Sequence, residues 1–407
     1  MLLKNFIVGA VFCAATNALP WNDGDDKENE KKSYKYVALF SVDGFHSSGV
    51  AKYSSLRPQS NIAALLATGY EYANAFTSAP SDSFPGTMNQ YTGASPRTTG
   101  TRCQGKSGAE VALAANLDYN STERFSGGIN PDELPQKLVN GQCTLVYPHN
   151  RTRINTIFEV VHQADKHTAY ADKHPAYDLV RGPSGEGLTV GYFPKIAAVA
   201  NTVDATITCN SLHVTAFFNW ISGTTPPNSE KTAGYTNDTK LTFTAPLLKA
   251  FDFVNNSLSK IVDALKAKNI YDQTLIIVAS KHGQAPINPA LYHKIDLALI
   301  IPATGVDVDW VTTNNIAPLF LTDQSTLAKA LGVIYTTSTA KIAEYGGLSD
   351  DDRKVACFAS AKGLKKLVIN DTVSTKQIGP TVLKVLGLNP EDMQGAKAEG
   401  TKALKGF

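Results

Sequence analysis

The sequence predicts an α/β protein in which a mostly parallel central sheet is covered by helices on both faces. Apolar runs of strand length alternate along the chain with helical patterns, and several of these runs end directly in polar residues. Because the carboxyl ends of parallel strands meet at one edge of a sheet, we expect these polar residues to gather there. The chain of 407 residues, 43% of them hydrophobic, is long enough to bury the core of one such domain.

The spacing of apolar residues places the individual elements. Strands are predicted over residues 34–43, 70–76, 167–172, 274–280, 298–301, 317–322 and 355–359. Helices are predicted over residues 61–68, 156–165, 247–265 and 375–388. The third of these helices carries apolar residues at spacings of three and four, which is typical of a helix packed on a sheet. The first strand ends in Asp43, and the strand over residues 274–280 ends at Lys281 and His282.

Residues 79–100, APSDSFPGTMNQYTGASPRTTG, contain the candidate nucleophile, Ser83. Ser83 follows a predicted strand and precedes Phe84-Pro85-Gly86, where proline favours the first turn of a helix. As the N-cap of that helix, Ser83 would present its hydroxyl to a phosphate or sulfate held by free backbone N–H groups. The alternative is that Ser83 caps the helix and has no other role.

The N-terminal residues predict secretion. Lys4 precedes an apolar run at residues 6–15, and small residues follow, so residues 1–18 are predicted to be a secretory signal that is too short to span a bilayer. Residues 19–35 are charged and predicted to be a flexible linker before the domain at residues 36–407. The net charge of +2 gives no electrostatic argument for binding a nucleic-acid duplex, and nothing in the sequence predicts an oligomeric state.

Four cysteines remain once Cys13 is removed with the signal, and an even number allows two disulfides in an oxidising compartment. Cys357 lies in an apolar run, where a buried free thiol fits as well as a bridge to Cys209. Five Asn residues begin N-x-Ser/Thr triplets and are candidate glycosylation sites: Asn120, Asn150, Asn237, Asn255 and Asn370.

Five motifs occur in an order that resembles the type I phosphodiesterase and nucleotide pyrophosphatase family of the alkaline phosphatase superfamily. They are SFPG at 83–86, GASPRTTG at 93–100, DKHPAYD at 172–178, GPSG at 182–185 and KHGQAP at 281–286. The resemblance implies an alkaline-phosphatase-like fold and hydrolysis of phosphate diesters, nucleotides or related esters. It also implies a disulfide between Cys103 and Cys143, and a small phosphate- or nucleotide-like ligand.

The resemblance further implies a site with divalent metal ions, zinc above all. Its expected groups match Asp43 as a ligand, Ser83 as nucleophile and ligand, and His282 as a ligand. At three positions this sequence departs from the family pattern: Lys281 stands where an Asp is expected, Asn219 lies where an Asp and a His are missing, and Tyr345 replaces a His. The three remaining ligands favour one ion over two, and the alternative is no metal at all.

Lys281 suggests a second source of positive charge. Its ammonium would occupy the position of one metal ion, pair with Asp43, and either stabilise a bound anion or, with its pKa lowered by burial, take the proton from Ser83. The alternative is a structural Lys–Asp pair.

Substrate contacts are predicted for Arg97 and Asn219, and for Lys173 and His174. The last two belong, with Asp172 and Asp178, to the densest polar cluster of the chain, which could contact substrate or recruit a metal. For Arg97 the alternative is a solvated helix end, and for His174 it is a satisfied loop histidine. The sequence therefore favours a secreted hydrolase that uses Ser83. A catalytically impaired relative that binds a ligand is the alternative, and the replaced ligands favour it.

Overall fold

The fold is described from a computed structural model, in which a mixed sheet lies between two layers of helices. It describes residues 8–14, 33–100, 134, 136–172, 175–193, 210–211, 213–216, 218–219, 221, 245–283, 297–311, 319–326, 329 and 350–407. The strands are β1 Val8–Ala14, β2 Tyr36–Val42, β3 Gly69–Phe76, β4 Gln136–Val139, β5 Gln142–Leu145, β6 His167–Ala171, β7 Val190–Tyr192, β8 Thr274–Ala279, β9 Val308–Val311, β10 Leu319–Leu321, β11 Lys354–Val355, β12 Cys357–Ser360 and β13 Leu367–Ser374. The helices are α1 Ser47–Leu56, α2 Asn61–Ala67, α3 Ser83–Thr92, α4 Pro96–Thr99, α5 Ile157–Gln163, α6 Ala245–Ala267, α7 Leu297–Thr304, α8 Asp350–Arg353, α9 Ile378–Val385 and α10 Gln394–Glu399.

The main sheet has the strand order β11-β3-β12-β8-β2-β1-β6-β7, and β13 pairs with β3. The ladders β2–β8, β6–β7 and β3–β13 are parallel. β12 runs antiparallel to both of its neighbours, β3 and β8, and β1 runs antiparallel to both β2 and β6. Most strands therefore point the same way, as predicted, but the sheet is mixed because β1, β11 and β12 run in the opposite direction.

Both faces of the sheet are buried. Helices α3, α5 and α9 pack on one face, and α1, α2 and α6 pack on the other. Val37 and Leu39 of β2 face the first layer, whereas Ala38 and Phe40 face the second, as the alternation of side chains along a strand requires. A strand covered on both sides needs apolar residues at successive positions, which explains the continuous apolar run that predicted it.

The amphipathic stripe predicted for residues 247–265 is confirmed in α6. Phe251, Val254, Leu258, Ile261 and Leu265 are all buried against the sheet. Burying such side chains stabilises the fold by about 1.5–3 kcal/mol each. The stripe is therefore part of the core and does not contribute to a site.

Two predicted strands differ from the structure. Residues 298–301 belong to helix α7 (Leu297–Thr304), so the strand prediction there is wrong. A short apolar run does not distinguish a strand from a buried helix, and that ambiguity is the reason for the error. The strand predicted over residues 317–322 is present as β10, but it pairs with β9 in a separate two-stranded sheet.

Strand β1 lies within the segment that the sequence predicts to be a signal peptide. It pairs with β2 from Val8↔Val42 to Ala14↔Tyr36, and with β6 along the other side. Removal of residues 1–18 would therefore take away the backbone partner of two buried strands. No helix in the described part of the chain is long and apolar enough to cross a membrane.

The predicted removal of residues 1–18 conflicts with the pairing of β1 in the sheet. N-terminal sequencing of the protein from an expressing cell distinguishes the two. We expect the mature chain to begin at Leu19, since small residues precede that position. The unpaired groups of β2 and β6 would then need a new partner, because buried backbone groups are rarely left without hydrogen bonds. A chain that retains Met1 would contradict the signal prediction and agree with β1 as a permanent strand.

Two cysteines lie within the described residues. Cys143 is exposed and Cys357 is buried, and the two do not form a disulfide with each other. Their predicted partners, Cys103 and Cys209, lie outside the described residues, so both bridges stay predictions. Among the candidate glycosylation sites, Asn150 and Asn370 are exposed and Asn255 is half-buried, whereas Asn120 and Asn237 lie outside the described part.

Burial raises the pKa of the Cys357 thiol to about 12. Because only the thiolate reacts, about one Cys357 in ten thousand would be reactive at pH 8. We therefore expect Cys357 to resist a thiol reagent in the native protein and to react after unfolding. Titration of thiols with and without denaturant measures this, with Cys357→Ser as the control. Rapid native labelling of Cys357 would contradict its burial.

Candidate active site

Three predicted site residues converge at the carboxyl edge of the sheet. Asp43 follows β2, His282 follows the neighbouring parallel strand β8, and Ser83 begins α3. The Ser83 Oγ lies 3.2 Å from the His282 Nε2, which in turn lies 3.7 Å from the Asp43 Oδ2. All three residues have 0% exposure, so the cluster is screened from solvent.

Ser83 is the first residue of α3 and not its N-cap, which corrects the sequence-based prediction. The N-cap is Asp82, whose carboxylate accepts a hydrogen bond from the Phe84 backbone N–H. Asp and Ser are both good N-cap residues and stand side by side here, so local propensity did not distinguish them. With Asp82 at the cap, the Ser83 hydroxyl is available to His282.

The imidazole of His282 is held in one orientation. Its Nδ1 lies 2.8 Å from the Gly283 carbonyl oxygen, which can only accept a hydrogen bond. In the neutral ring the proton therefore sits on Nδ1, and the lone pair of Nε2 faces Ser83. The Ser280 hydroxyl and the Gly44 backbone N–H both donate to the carbonyl of His282, which fixes the turn that carries the ring.

Lys281 lies beside this cluster and is itself only 1% exposed. Its Nζ is 3.1 Å from the Asp43 Oδ1 and 3.4 Å from the Asp172 Oδ2. It also donates to the Tyr177 Oη at 3.0 Å and lies 4.5 Å from the centre of that ring. The Tyr170 Oη donates to the same Asp172 oxygen at 2.6 Å. The ammonium therefore sits within a buried cage of two carboxylates and a tyrosine.

The charge of Lys281 follows from these contacts. Burial alone would lower its pKa, but the negative charges of Asp172 and Asp43 outweigh burial and raise the pKa well above its ordinary value. Lys281 therefore keeps its proton and has no lone pair for the Ser83 hydroxyl. The prediction that Lys281 takes the proton from Ser83 does not agree with this environment.

Asp172 and Tyr177 also belong to the cluster. The sequence predicted Asp172 only as a member of the polar cluster at residues 172–178, which could contact substrate or recruit a metal, and it assigned no role to Tyr177. Asp172 follows β6 directly, just as Asp43 follows β2. That position at the end of a strand was the signal that could have identified it. Tyr177 carried no comparable signal, because its role depends on how the 3-10 helix Pro175–Arg181 packs against Lys281.

The donor set can be tested for a metal ion. The Ser83 Oγ and the Asp43 Oδ2 both lie close to the His282 Nε2, and all three atoms are donors of the kind that zinc accepts. The Nδ1–H of His282 bonds a backbone carbonyl, which is typical of metal-binding histidines. Three donors of this kind fit one ion. The described residues contain no group of three or more His, Cys, Asp or Glu side chains suited to a metal.

The other predicted site residues are less closely tied to the cluster. Arg97 is exposed on the short helix α4. Asn219 is buried in a helical stretch. Lys173, His174 and Tyr345 lie outside the described residues, so their roles stay predictions.

Two sequence motifs have structural roles instead. In GPSG, the backbone N–H of Ser184 donates to the buried carboxylate of Glu159, which also accepts from Thr156. In GASPRTTG, the Ser95 backbone N–H and hydroxyl both donate to Glu399. These contacts hold loops against neighbouring helices.

Comparisons with known proteins agree with the fold. The family model for type I phosphodiesterase / nucleotide pyrophosphatase matches residues 37–102 and 112–364. No curated protein matches the chain significantly.

Solved structures of the alkaline phosphatase superfamily are similar to the chain. Wild-type alkaline phosphatase PafA is 12% identical, with a TM-score of 0.53 over 92% of this chain and 97% of PafA. An alkaline phosphatase superfamily protein from Vibrio parahaemolyticus is 13% identical, with a TM-score of 0.40 over 86% of this chain and 65% of its own. At such identities the likeness to PafA shows the fold alone. Because the family model covers well over half of the sequence and the fold agrees with it, the chain belongs to the type I phosphodiesterase and nucleotide pyrophosphatase family.

Proposed function

We propose that the protein is a secreted hydrolase of phosphate diesters, nucleotides or related esters, with Ser83 as its nucleophile. The observation that supports this most directly is the contact of 3.2 Å between the Ser83 Oγ and the His282 Nε2. Family membership supports a phosphate ester as the substrate. The predicted signal at residues 1–18 supports secretion.

The reaction proceeds in two displacements. The Ser83 Oγ loses its proton and bonds to phosphorus while the bond from phosphorus to the leaving oxygen breaks. Water then attacks the phosphoserine, the bond from phosphorus to Oγ breaks, and the proton that the water releases restores the Ser83 hydroxyl. In the absence of a metal ion, the lone pair on the His282 Nε2 receives the Ser83 proton and returns it to the leaving oxygen.

The charges of the described residues argue for assistance by one divalent cation. With neutral His282, the cluster contains two carboxylates, Asp43 and Asp172, and one ammonium, Lys281, and so carries a net charge of −1. A buried site of this sign opposes a phosphate anion. An ion held by Asp43, Ser83 and His282 would supply positive charge for the phosphoryl oxygens and favour ionised Ser83.

Hydrolysis of a chromogenic phosphodiester by the purified protein, before and after dialysis against EDTA, tests this proposal. We expect turnover to fall after dialysis and to recover with added zinc, because His282 and Asp43 then bind a metal ion again. Turnover that survives dialysis would instead assign the proton transfer to His282 without a bound metal ion. The absence of turnover in all samples would contradict the hydrolase.

The second candidate is a catalytically impaired relative that binds a phosphate-like ligand. Asn219 and Tyr345 favour it, because they stand at positions where the family resemblance implies metal ligands. Equilibrium binding of a nucleotide without its hydrolysis would support this function.

A further inference from the structure

The cage around Lys281 places a fixed cation next to the candidate metal position. The two oxygens of Asp43 face in different directions, with Oδ1 at 3.1 Å from the Lys281 Nζ and Oδ2 at 3.7 Å from the His282 Nε2. Asp43 is therefore shared between the ammonium and the Ser83–His282 pair. This inference rests on the proposed function, because it concerns the cation that would assist Ser83.

We propose that Lys281 acts as a built-in second cation, which limits the site to one divalent ion and turns Asp172 into a positioning residue. Loss of the Lys281 ammonium would open a further cation site between Asp43 and Asp172.

The fold brings the groups of this second site to one point. Asp43, Asp172 and Lys281 follow strands β2, β6 and β8, which run in the same direction. Oxygen atoms of both carboxylates lie within 3.4 Å of the Lys281 Nζ, and the Tyr177 Oη lies 3.0 Å away. Two carboxylates and a hydroxyl would suit a hard divalent cation if the ammonium were absent.

Charge and packing together exclude a second ion while Lys281 is present. The ammonium already occupies the point at which the carboxylates converge, and like charges repel strongly in a buried site. Lys281 occupies the space between Asp43 and Asp172, which leaves the donors Asp43, Ser83 and His282 for a single divalent ion. Asp172 acts through Lys281, because it draws the ammonium partly away from Asp43.

The stoichiometry of Mn²⁺ binding tests the proposal without reference to turnover. Full-length protein is freed of metal with EDTA and titrated with Mn²⁺, and native mass spectrometry counts the ions bound to each chain. We expect one ion in wild type and two in Lys281→Met. The double variant Lys281→Met/Asp172→Asn is the matched control, and it should bind one ion because the second site has lost a carboxylate. Two ions in wild type, none in wild type, or one in Lys281→Met would overturn the proposal.

Lys281→Met leaves two buried carboxylates without their cation and is expected to fold poorly unless Mn²⁺ is present. Its Tm should therefore rise with Mn²⁺ by more than the Tm of wild type does. Equal rises would contradict the second site.

Asp172→Asn supplies a second measurement if Lys281→Met does not fold. The amide can still accept from Tyr170 and Lys281, so this variant should fold. Because the cluster loses a negative charge and Lys281 then pairs with Asp43 alone, we expect the Kd for Mn²⁺ to rise by about tenfold or more. An unchanged Kd would overturn the role of Asp172. A protein that binds one ion as described but hydrolyses no ester would refute the proposed hydrolase and leave this inference intact.

Discussion

Replacing Ser83 by alanine should abolish hydrolysis of a phosphodiester, with kcat lowered by about a thousandfold or more. The substitution removes the only atom that we propose to attack phosphorus, and neither water nor a neighbouring residue is expected to replace it efficiently. Stability should change little, because Asp82 and not Ser83 caps α3. The rate of product release and the Tm of the two proteins are the measurements.

Ser81→Ala is the matched control for this variant. Ser81 is also fully buried and lies two residues away, but its hydroxyl donates to the Asp352 carbonyl and does not contact His282 in the described structure. We expect Ser81→Ala to lose about 1 kcal/mol of stability and to keep its turnover. A Ser83→Ala enzyme that is as active as Ser81→Ala would remove Ser83 from the mechanism.

Gly86→Ala should destabilise the protein by about 3 kcal/mol or more, although alanine favours a helix more than glycine does. A Cβ atom at position 86 would lie 1.8 Å from the Lys281 carbonyl oxygen. That carbonyl is held in place, because it accepts a hydrogen bond of 2.6 Å from the Thr77 hydroxyl. Either α3 or the Lys281 turn must move, and each carries part of the candidate site. Urea unfolding measures the loss.

Gly49→Ala in α1 provides the comparison for Gly86→Ala. The added Cβ would meet the tip of the Phe251 ring at 2.9 Å, and a side chain can shift more easily than a backbone carbonyl. We therefore expect a smaller loss of stability and unchanged turnover for Gly49→Ala. If both variants were equally stable, the contact between α3 and Lys281 would be looser than the structure indicates.

Local patterns in the sequence determined much of the framework. The apolar runs at β2 and β8 are continuous because both faces of those strands are buried, and the stripe of α6 repeats with the period of a helix. Since parallel strands end at one edge, Asp43 and His282 were predicted to meet Ser83, and they do. These are properties that a chain specifies within a few consecutive residues.

Other features of the site depend on residues that are far apart in the sequence. The pairing of Lys281 with Asp172 joins positions 109 residues apart. Position 86 needs glycine because the Lys281 carbonyl oxygen, which is distant in the sequence, leaves no room for a Cβ atom. The structure likewise decided between Asp82 and Ser83 as the N-cap: the Asp82 carboxylate accepts from the Phe84 N–H, whereas the Ser83 hydroxyl faces His282.

The sequence by itself therefore determined the alternation of strands and helices, and the edge of the sheet at which the polar residues gather. Only the tertiary structure decided which of those residues touch, what charge Lys281 carries, and which oxygen of Asp43 faces His282. The physical reason is that periodicity is a local property of the chain, whereas a contact distance or a pKa depends on every element packed around the group.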